Sequence, residues 1–161
     1  MRLTTFALIL FAVMTGFTTK PVPNKEFKIL NCTMQRSFGG VAGSGTSTVF
    51  MVELKALRSF EFMSDTGYAE GRADKIIIVG DTSTKPIKKL KKGQKIKLMI
   101  PIRTPGMIGG SNEQMVIPGS PVCDPPDKLT GRLVLRYKAG GTKYITLIIN
   151  NIKDLEPILG Q

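Results

Sequence analysis

Apolar and polar residues alternate with a two-residue period along most of the chain after Lys25. This period is typical of β-strands that are buried on one face. It predicts strands over Val49–Lys55, Lys95–Ile100, Arg132–Lys138 and Lys143–Ile149. The residues predicted to face the core are Phe50, Val52, Leu54, Ile96, Leu98, Ile100, Leu133, Leu135, Tyr137, Ile145, Leu147 and Ile149.

Glycines and prolines mark the connections between these strands. Ala139–Thr142 contains two adjacent glycines, which predicts a tight hairpin turn between the last two long strands. Six prolines between residues 101 and 130 predict a long, mostly irregular loop there, with a short edge strand at Gln114–Ile117 as an alternative for part of it.

No segment of helical length keeps the apolar spacing of a helix. About seven short strands separated by turns favour an all-β fold, a two-sheet antiparallel sandwich with an immunoglobulin-like or related Greek-key arrangement. A small closed β-barrel is the alternative fold.

The first residues have the pattern of an export signal. Met1–Arg2 is basic, Leu3–Phe17 is uncharged and mostly apolar, and small residues follow. The apolar run is shorter than the roughly 20 residues that a membrane-spanning helix needs. We therefore expect a cleaved signal peptide at 1–18, a short linker at 19–26 and a single domain at 27–161. The mature protein is then secreted or periplasmic, with no integral membrane span.

The chain is strongly basic, with 23 lysines and arginines against 12 acids and a formal net charge of +11. Such a charge favours anionic partners. Outside the cytoplasm these are an anionic polysaccharide, a lipid head group or an acidic protein.

Lysines are concentrated around one predicted turn, at Gly93. Seven of them fall close together and form a candidate anion-binding cluster: Lys85, Lys88, Lys89, Lys91, Lys92, Lys95 and Lys97. Alternatively, these lysines only solvate the turn and protect an edge strand from pairing. No aromatic residue interleaves with them to stack on bases, which disfavours nucleic acid.

The two cysteines, Cys32 and Cys123, can form a disulfide in an exported protein. A bridge closing a loop of about 90 residues would stabilise the fold by roughly 4 to 5 kcal/mol. The alternative is two separate thiols.

The chain has no histidine, which excludes Ser-His-Asp and Cys-His catalysis and every His-ligated metal site. We therefore predict no catalytic residue, no metal site and no cofactor. A Ser-Lys dyad has no Ser-x-x-Lys signature in this chain, whereas paired carboxylates could still hydrolyse glycosides. Their candidates are Asp65, Glu70, Asp74, Asp124 and Asp127.

The sequence thus favours an exported, non-enzymatic binding protein that contacts an anionic envelope or matrix component through the lysine-rich turn. The first alternative is a structural, assembly or adhesin-like module that pairs with another protein through an exposed strand edge. The second alternative is a carboxylate-dependent hydrolase.

Overall fold

The computed structural model describes residues 24–39, 45–80, 87–108, 115–125 and 131–159. The described residues form strands and turns without a helix, so the predicted all-β class is confirmed. The predicted signal peptide and residues 19–23 of the predicted linker lie outside the described residues. The strands are β1 Phe27–Phe38, β2 Thr46–Ala56, β3 Phe60–Ala69, β4 Arg72–Lys75, β5 Ile77–Ile78, β6 Ile87–Leu90, β7 Lys95–Arg103, β8 Gly106–Ile108, β9 Met115–Ile117, β10 Leu133–Ala139, β11 Tyr144–Ile149, β12 Lys153–Asp154 and β13 Ile158–Leu159.

The strands are arranged in two larger sheets and one separate hairpin. The first sheet has the order β12-β1-β2-β7-β5, and β13 also pairs with β1. The second has the order β11-β10-β3-β4, and β6 also pairs with β3. Pairing is antiparallel except where the short β12 and β13 run parallel to β1. The sheets do not close into a barrel, so the alternative fold is wrong.

The two larger sheets share one hydrophobic core. Phe27 of the first sheet contacts three rings of the second edge to face, those of Phe60, Phe62 and Tyr137, with centroids 5.2 to 5.5 Å apart. A Cβ atom added to Gly67 of β3 would lie 2.7 Å from Cγ2 of Ile100 in β7. This contact shows how closely the two sheets approach there.

The alternating pattern predicted the core-facing residues well. Phe50, Val52 and Leu54 are each no more than 1% exposed, and the inward residues of β7 and β10 are also buried. In β11, Leu147 and Ile149 are buried, and the half-buried Ile145 packs against the core.

The predicted pairing of the last two long strands is confirmed, but their connection is longer than a tight turn, because residues 139–143 lie beyond the last pair, Lys138↔Tyr144. β10 and β11 pair antiparallel from Leu133↔Ile149 to Lys138↔Tyr144 without a register shift. Gly140 has a φ of +68°, in the left-handed region that glycine adopts at little cost.

In the predicted loop 101–130, residues 109–114 and 126–130 lie outside the described residues, and the described remainder contains more regular structure than predicted. β7 continues through Pro101 to Arg103, and β8 and β9 form a hairpin. β7 is paired with β2 at Pro101, but on its other side β5 reaches only Met99. Pro101 is tolerated because no strand on that open side needs a hydrogen bond from its backbone nitrogen. The predicted short edge strand at Gln114–Ile117 corresponds to β9.

The segment after β9 is fixed to both larger sheets, to β7 of the first and to β4 of the second. The Ser120 hydroxyl donates to Asp74 Oδ2 at 2.7 Å and accepts from the Arg103 amide at 2.9 Å. Arg72 donates to the Ser120 carbonyl at 2.7 Å. Ser120 is buried, and these bonds satisfy its polar groups.

The N-terminal end of the described chain is also anchored. The side-chain oxygen of Asn24 accepts hydrogen bonds from the amides of Glu26 and Phe27, and its amide group donates to the Tyr137 hydroxyl at 2.7 Å. The end of the predicted linker therefore packs onto the domain.

Candidate anion-binding surface

Three lysines stand directly opposite one another on neighbouring strands of the first sheet. Lys28 of β1 pairs with Lys55 of β2, and Lys55 pairs with Lys95 of β7. All three are exposed. Because adjacent strands are about 4.8 Å apart, this lysine row brings three positive charges into a short line. Like charges in such opposed positions repel and destabilise a sheet.

The next row on the same face contains a single acid. Asn31, Glu53 and Lys97 are opposed there on β1, β2 and β7. Glu53 Oε1 lies 3.9 Å from Lys95 Nζ, and the lysine side chain is 65% exposed. An exposed ion pair at this distance contributes little to stability. Among the described residues, one carboxylate thus accompanies the lysine row and Lys97, which leaves this part of the surface with an excess of positive charge.

A shallow cleft adjoins this face where β6 of the second sheet approaches β7. Its volume is about 230 Å³, and Lys88, Lys95 and Lys97 line it together with Glu53. The apolar residues Ile78, Val79 and Ile96 complete its lining. The fold therefore brings lysines of both sheets to one cleft.

The turn at Gly93 positions these lysines because it carries the chain from β6 in the second sheet to β7 in the first. Gly93 has a φ of +85°, and its amide donates to the Ala56 carbonyl at 2.8 Å. The Ala56 amide donates in return to the Gln94 carbonyl at 2.9 Å, and the Lys92 amide donates to Ser59 Oγ. These bonds hold the turn against the end of β2, beside Lys55.

The predicted seven-lysine cluster is divided by the structure. Lys88, Lys95 and Lys97 meet at the cleft, and Lys91 and Lys92 lie exposed in the turn. Lys89 is opposite Glu61 in the second sheet. Lys85 lies outside the described residues.

Sequence reasoning missed two members of the surface, Lys28 and Lys55. Lys55 was on the polar face of a predicted strand, but its lysine neighbours depend on the pairing order and register of β1, β2 and β7. Alternation within one strand carries no information about these.

The possible disulfide between Cys32 and Cys123 is not formed in this structure. Both thiols are free, with Cys32 buried and Cys123 exposed. Cys32 is on β1 in the first sheet, whereas the Cys123 amide bonds to the Gly71 carbonyl at the turn between β3 and β4. Burial raises the pKa of the Cys32 thiol to about 11, although nearby Arg132 opposes this shift.

Cys32 also lines a second cleft, of about 440 Å³, between β1 and the segment after β11. The described residues that line it include Asn31, Asn150 and Asn151 and the charged Lys153. This cleft contains none of the predicted lysines.

Three of the candidate carboxylates have polar partners within the fold. Asp65 Oδ2 lies 2.7 Å from Arg136 Nε, Glu70 Oε1 accepts from Arg36 at 3.0 Å, and Asp74 accepts from Ser120. Asp124 is exposed and Asp127 lies outside the described residues. No group of three potential metal ligands occurs among the described residues.

Comparisons with models of protein families, with curated proteins and with solved structures found no match for this chain. Within the described segments, no helix has the length and apolar character needed to cross a membrane.

Proposed function

We propose that this protein is an exported, non-enzymatic binding protein that holds an anionic polysaccharide of the cell envelope or matrix against the lysine row and its adjoining cleft. The observation that carries the proposal is the opposition of Lys28, Lys55 and Lys95 on three neighbouring strands. Like charges in these positions destabilise the free protein, and a bound polyanion would remove that repulsion.

The alignment of the lysines supports an extended ligand. They are in line across three strands of a sheet, and a cleft of about 230 Å³ adjoins them. Repeated negative charges on a polymer can engage successive lysines, whereas a compact anion would contact only part of the line. Lysine, as a flexible point charge, suits such contacts because they need no fixed geometry.

The packing of the two larger sheets determines which face the lysine row occupies. We infer that the two larger sheets form a sandwich of immunoglobulin-like or related Greek-key type, a reading supported by their shared core and by the close approach of Gly67 to Ile100. In this arrangement the lysine row occupies the outer face of one sheet, where a long ligand has access.

Heparin serves as the test polyanion. Its affinity for the protein is measured at low and high salt, for the natural chain and for the triple variant Lys28→Gln, Lys55→Gln, Lys95→Gln. We expect the triple variant to bind at least about tenfold more weakly at low salt, and to show a shallower dependence of binding on salt because fewer counterions are released.

The matched control is Lys75→Gln, Lys89→Gln, Lys143→Gln, which removes the same charge from exposed lysines outside the row. Equal weakening in both triple variants would show that net charge alone drives binding and would overturn the proposed site. Absence of heparin binding at low salt would also overturn it. Vesicles containing anionic lipid form a second arm, and tighter binding to them than to heparin would overturn the choice of a polysaccharide.

A further inference from the structure

Strand β11 forms an edge of the second sheet without the usual protection against pairing. Tyr144–Ile149 pairs along its whole length with β10 and has no strand on its other side among the described residues. Its six residues include no charged residue and no proline, and its register is continuous. In an antiparallel strand, alternate residues direct their N–H and C=O groups away from the paired neighbour. β11 therefore presents a row of open backbone donors and acceptors.

The other sheet edges in the described chain are short or charged. The first sheet ends in β5, β12 and β13, of two residues each, and the stretch of β1 that β12 and β13 leave open, Phe27–Cys32, carries the charged Lys28. The opposite edge of the second sheet is divided between β4 and β6, of four residues each; β6 carries two lysines, and Val122 bridges to Arg72 of β4. Short strands and lysines are common defences against edge pairing. β11 has neither.

The side chains around β11 indicate which kind of strand fits this edge. On one face, the ring of Tyr144 lies 3.9 Å from the Arg136 guanidinium and 4.5 Å from Lys138 Nζ, and Lys143 immediately precedes the strand. Asp65 forms an ion pair with Arg136, which leaves the positive charges of Lys138 and Lys143 in excess. On this face an incoming strand would best carry acidic residues.

The opposite face of β11 continues the hydrophobic core. Leu147 and Ile149 are buried, and Ile145 is only half covered. Apolar residues of an added strand would cover this margin of the core and bury further apolar area. A second copy of this chain is the poorer occupant because its net charge of +11 opposes association.

We propose that β11 is a docking edge for an extended segment of another protein in which acidic and apolar residues alternate, added as a further strand of the second sheet. Backbone hydrogen bonds supply much of the affinity in this mode, and alternate side chains supply specificity. The inference goes beyond polyanion binding because it uses a different sheet and a different kind of contact.

The test uses a capped eight-residue peptide that alternates valine and glutamate, added to the purified protein and followed by amide hydrogen exchange in NMR. We expect exchange to slow severalfold at alternate residues of Tyr144–Ile149. A peptide with lysine in place of glutamate, and one with a central proline, should both give weaker protection.

Two variants separate this edge from the lysine row. Ile145→Lys places a charge on the core-facing side of the edge and should abolish the protection, while unchanged spectra of β1 and β2 report that the fold is retained. If that variant does not fold, the central-proline peptide still tests the same contact. The Lys28→Gln, Lys55→Gln, Lys95→Gln variant should keep the protection of β11 even though it loses heparin binding.

Three results would overturn the inference: no slowed exchange in β11, equal protection by the glutamate and lysine peptides, or protection of β11 at high protein concentration without peptide. The last result would assign the edge to a second copy of this chain.

Discussion

At the residue scale, Cys32 and Tyr137 link the stability of the fold to alkaline pH. Burial raises the pKa of Cys32 from 9.0 to about 11 and that of Tyr137 from 10.0 to about 12. The unfolded chain releases these protons at lower pH than the folded chain does. The contribution of these two groups to the free energy of unfolding is therefore fully present below about pH 9, and it is lost as the pH rises through 11 and 12.

We expect the free energy of unfolding in urea to fall between about pH 9 and 11, and to fall less steeply in Cys32→Ala because that variant has one fewer buried acid. The comparison is between slopes, since loss of the thiol also changes packing. Parallel slopes for the natural chain and the variant would contradict the role given to Cys32.

The two thiols should also differ in their reactivity. Cys123 is exposed and Cys32 is buried with a raised pKa, and the thiolate is the reactive form. We expect a thiol reagent to modify one cysteine in the folded protein and a second only after unfolding. Cys123→Ser should remove the fast reaction. Failure of both thiols to react after unfolding without a reductant would instead indicate a disulfide.

At the element scale, the contact between β3 and β7 depends on the absence of a side chain at Gly67. A Cβ there would lie 2.7 Å from a methyl carbon of the fully buried Ile100. We expect Gly67→Ala to destabilise the protein by roughly 1 to 3 kcal/mol because the packed core cannot move aside freely. Denaturant unfolding measures the change.

Gly141→Ala is the matched control for this substitution. Gly141 has no heavy atom within 4 Å of the added Cβ, and its φ is outside the left-handed region. We expect the free energy of unfolding of the Gly141→Ala variant to stay within about 0.5 kcal/mol of that of the natural chain. Similar losses in both variants would contradict the proposed crowding at Gly67.

The elements also show what the sequence could and could not predict. The buried faces of β2, β7 and β10 follow from strict alternation, and the hairpin at Gly140 follows from paired glycines. β12 and β13 were not predicted because two-residue strands have no period of their own; they form by pairing with β1. β8 was not predicted either, since this three-residue strand directly follows Pro105 and is stabilised by its partner β9.

The candidate lysine surface shows the same limit of prediction from local sequence. Seven lysines close together in sequence predicted a basic turn, but sheet register separates Lys89 from Lys95 and adds Lys28 and Lys55. Charge density along the chain is local information, whereas a binding surface depends on which strands become neighbours. Part of the candidate surface was therefore predicted, including Lys95, but the other two members of the lysine row, Lys28 and Lys55, were not.

At the scale of the whole molecule, positive charge affects the stability of the fold. A net charge of +11 raises the free energy of a compact chain through self-repulsion, and the lysine row concentrates this effect at one place. A sheet optimised for stability alone would put opposite charges in these positions. If the row serves ligand binding, it should be a site where function opposes stability.

We therefore expect the Lys28→Gln, Lys55→Gln, Lys95→Gln variant to be more stable than the natural chain at low salt, by roughly 0.5 to 1 kcal/mol over the two adjacent lysine pairs. High salt should reduce this difference because it screens exposed charges.

The control variant Lys75→Gln, Lys89→Gln, Lys143→Gln should gain less, since it loses the cross-strand pairing of Lys89 with Glu61. Thermal unfolding at two salt concentrations measures all three proteins. Lower stability in the row variant would mean that these lysines support the fold, and weaker heparin binding by that variant could then no longer be attributed to the loss of a binding surface.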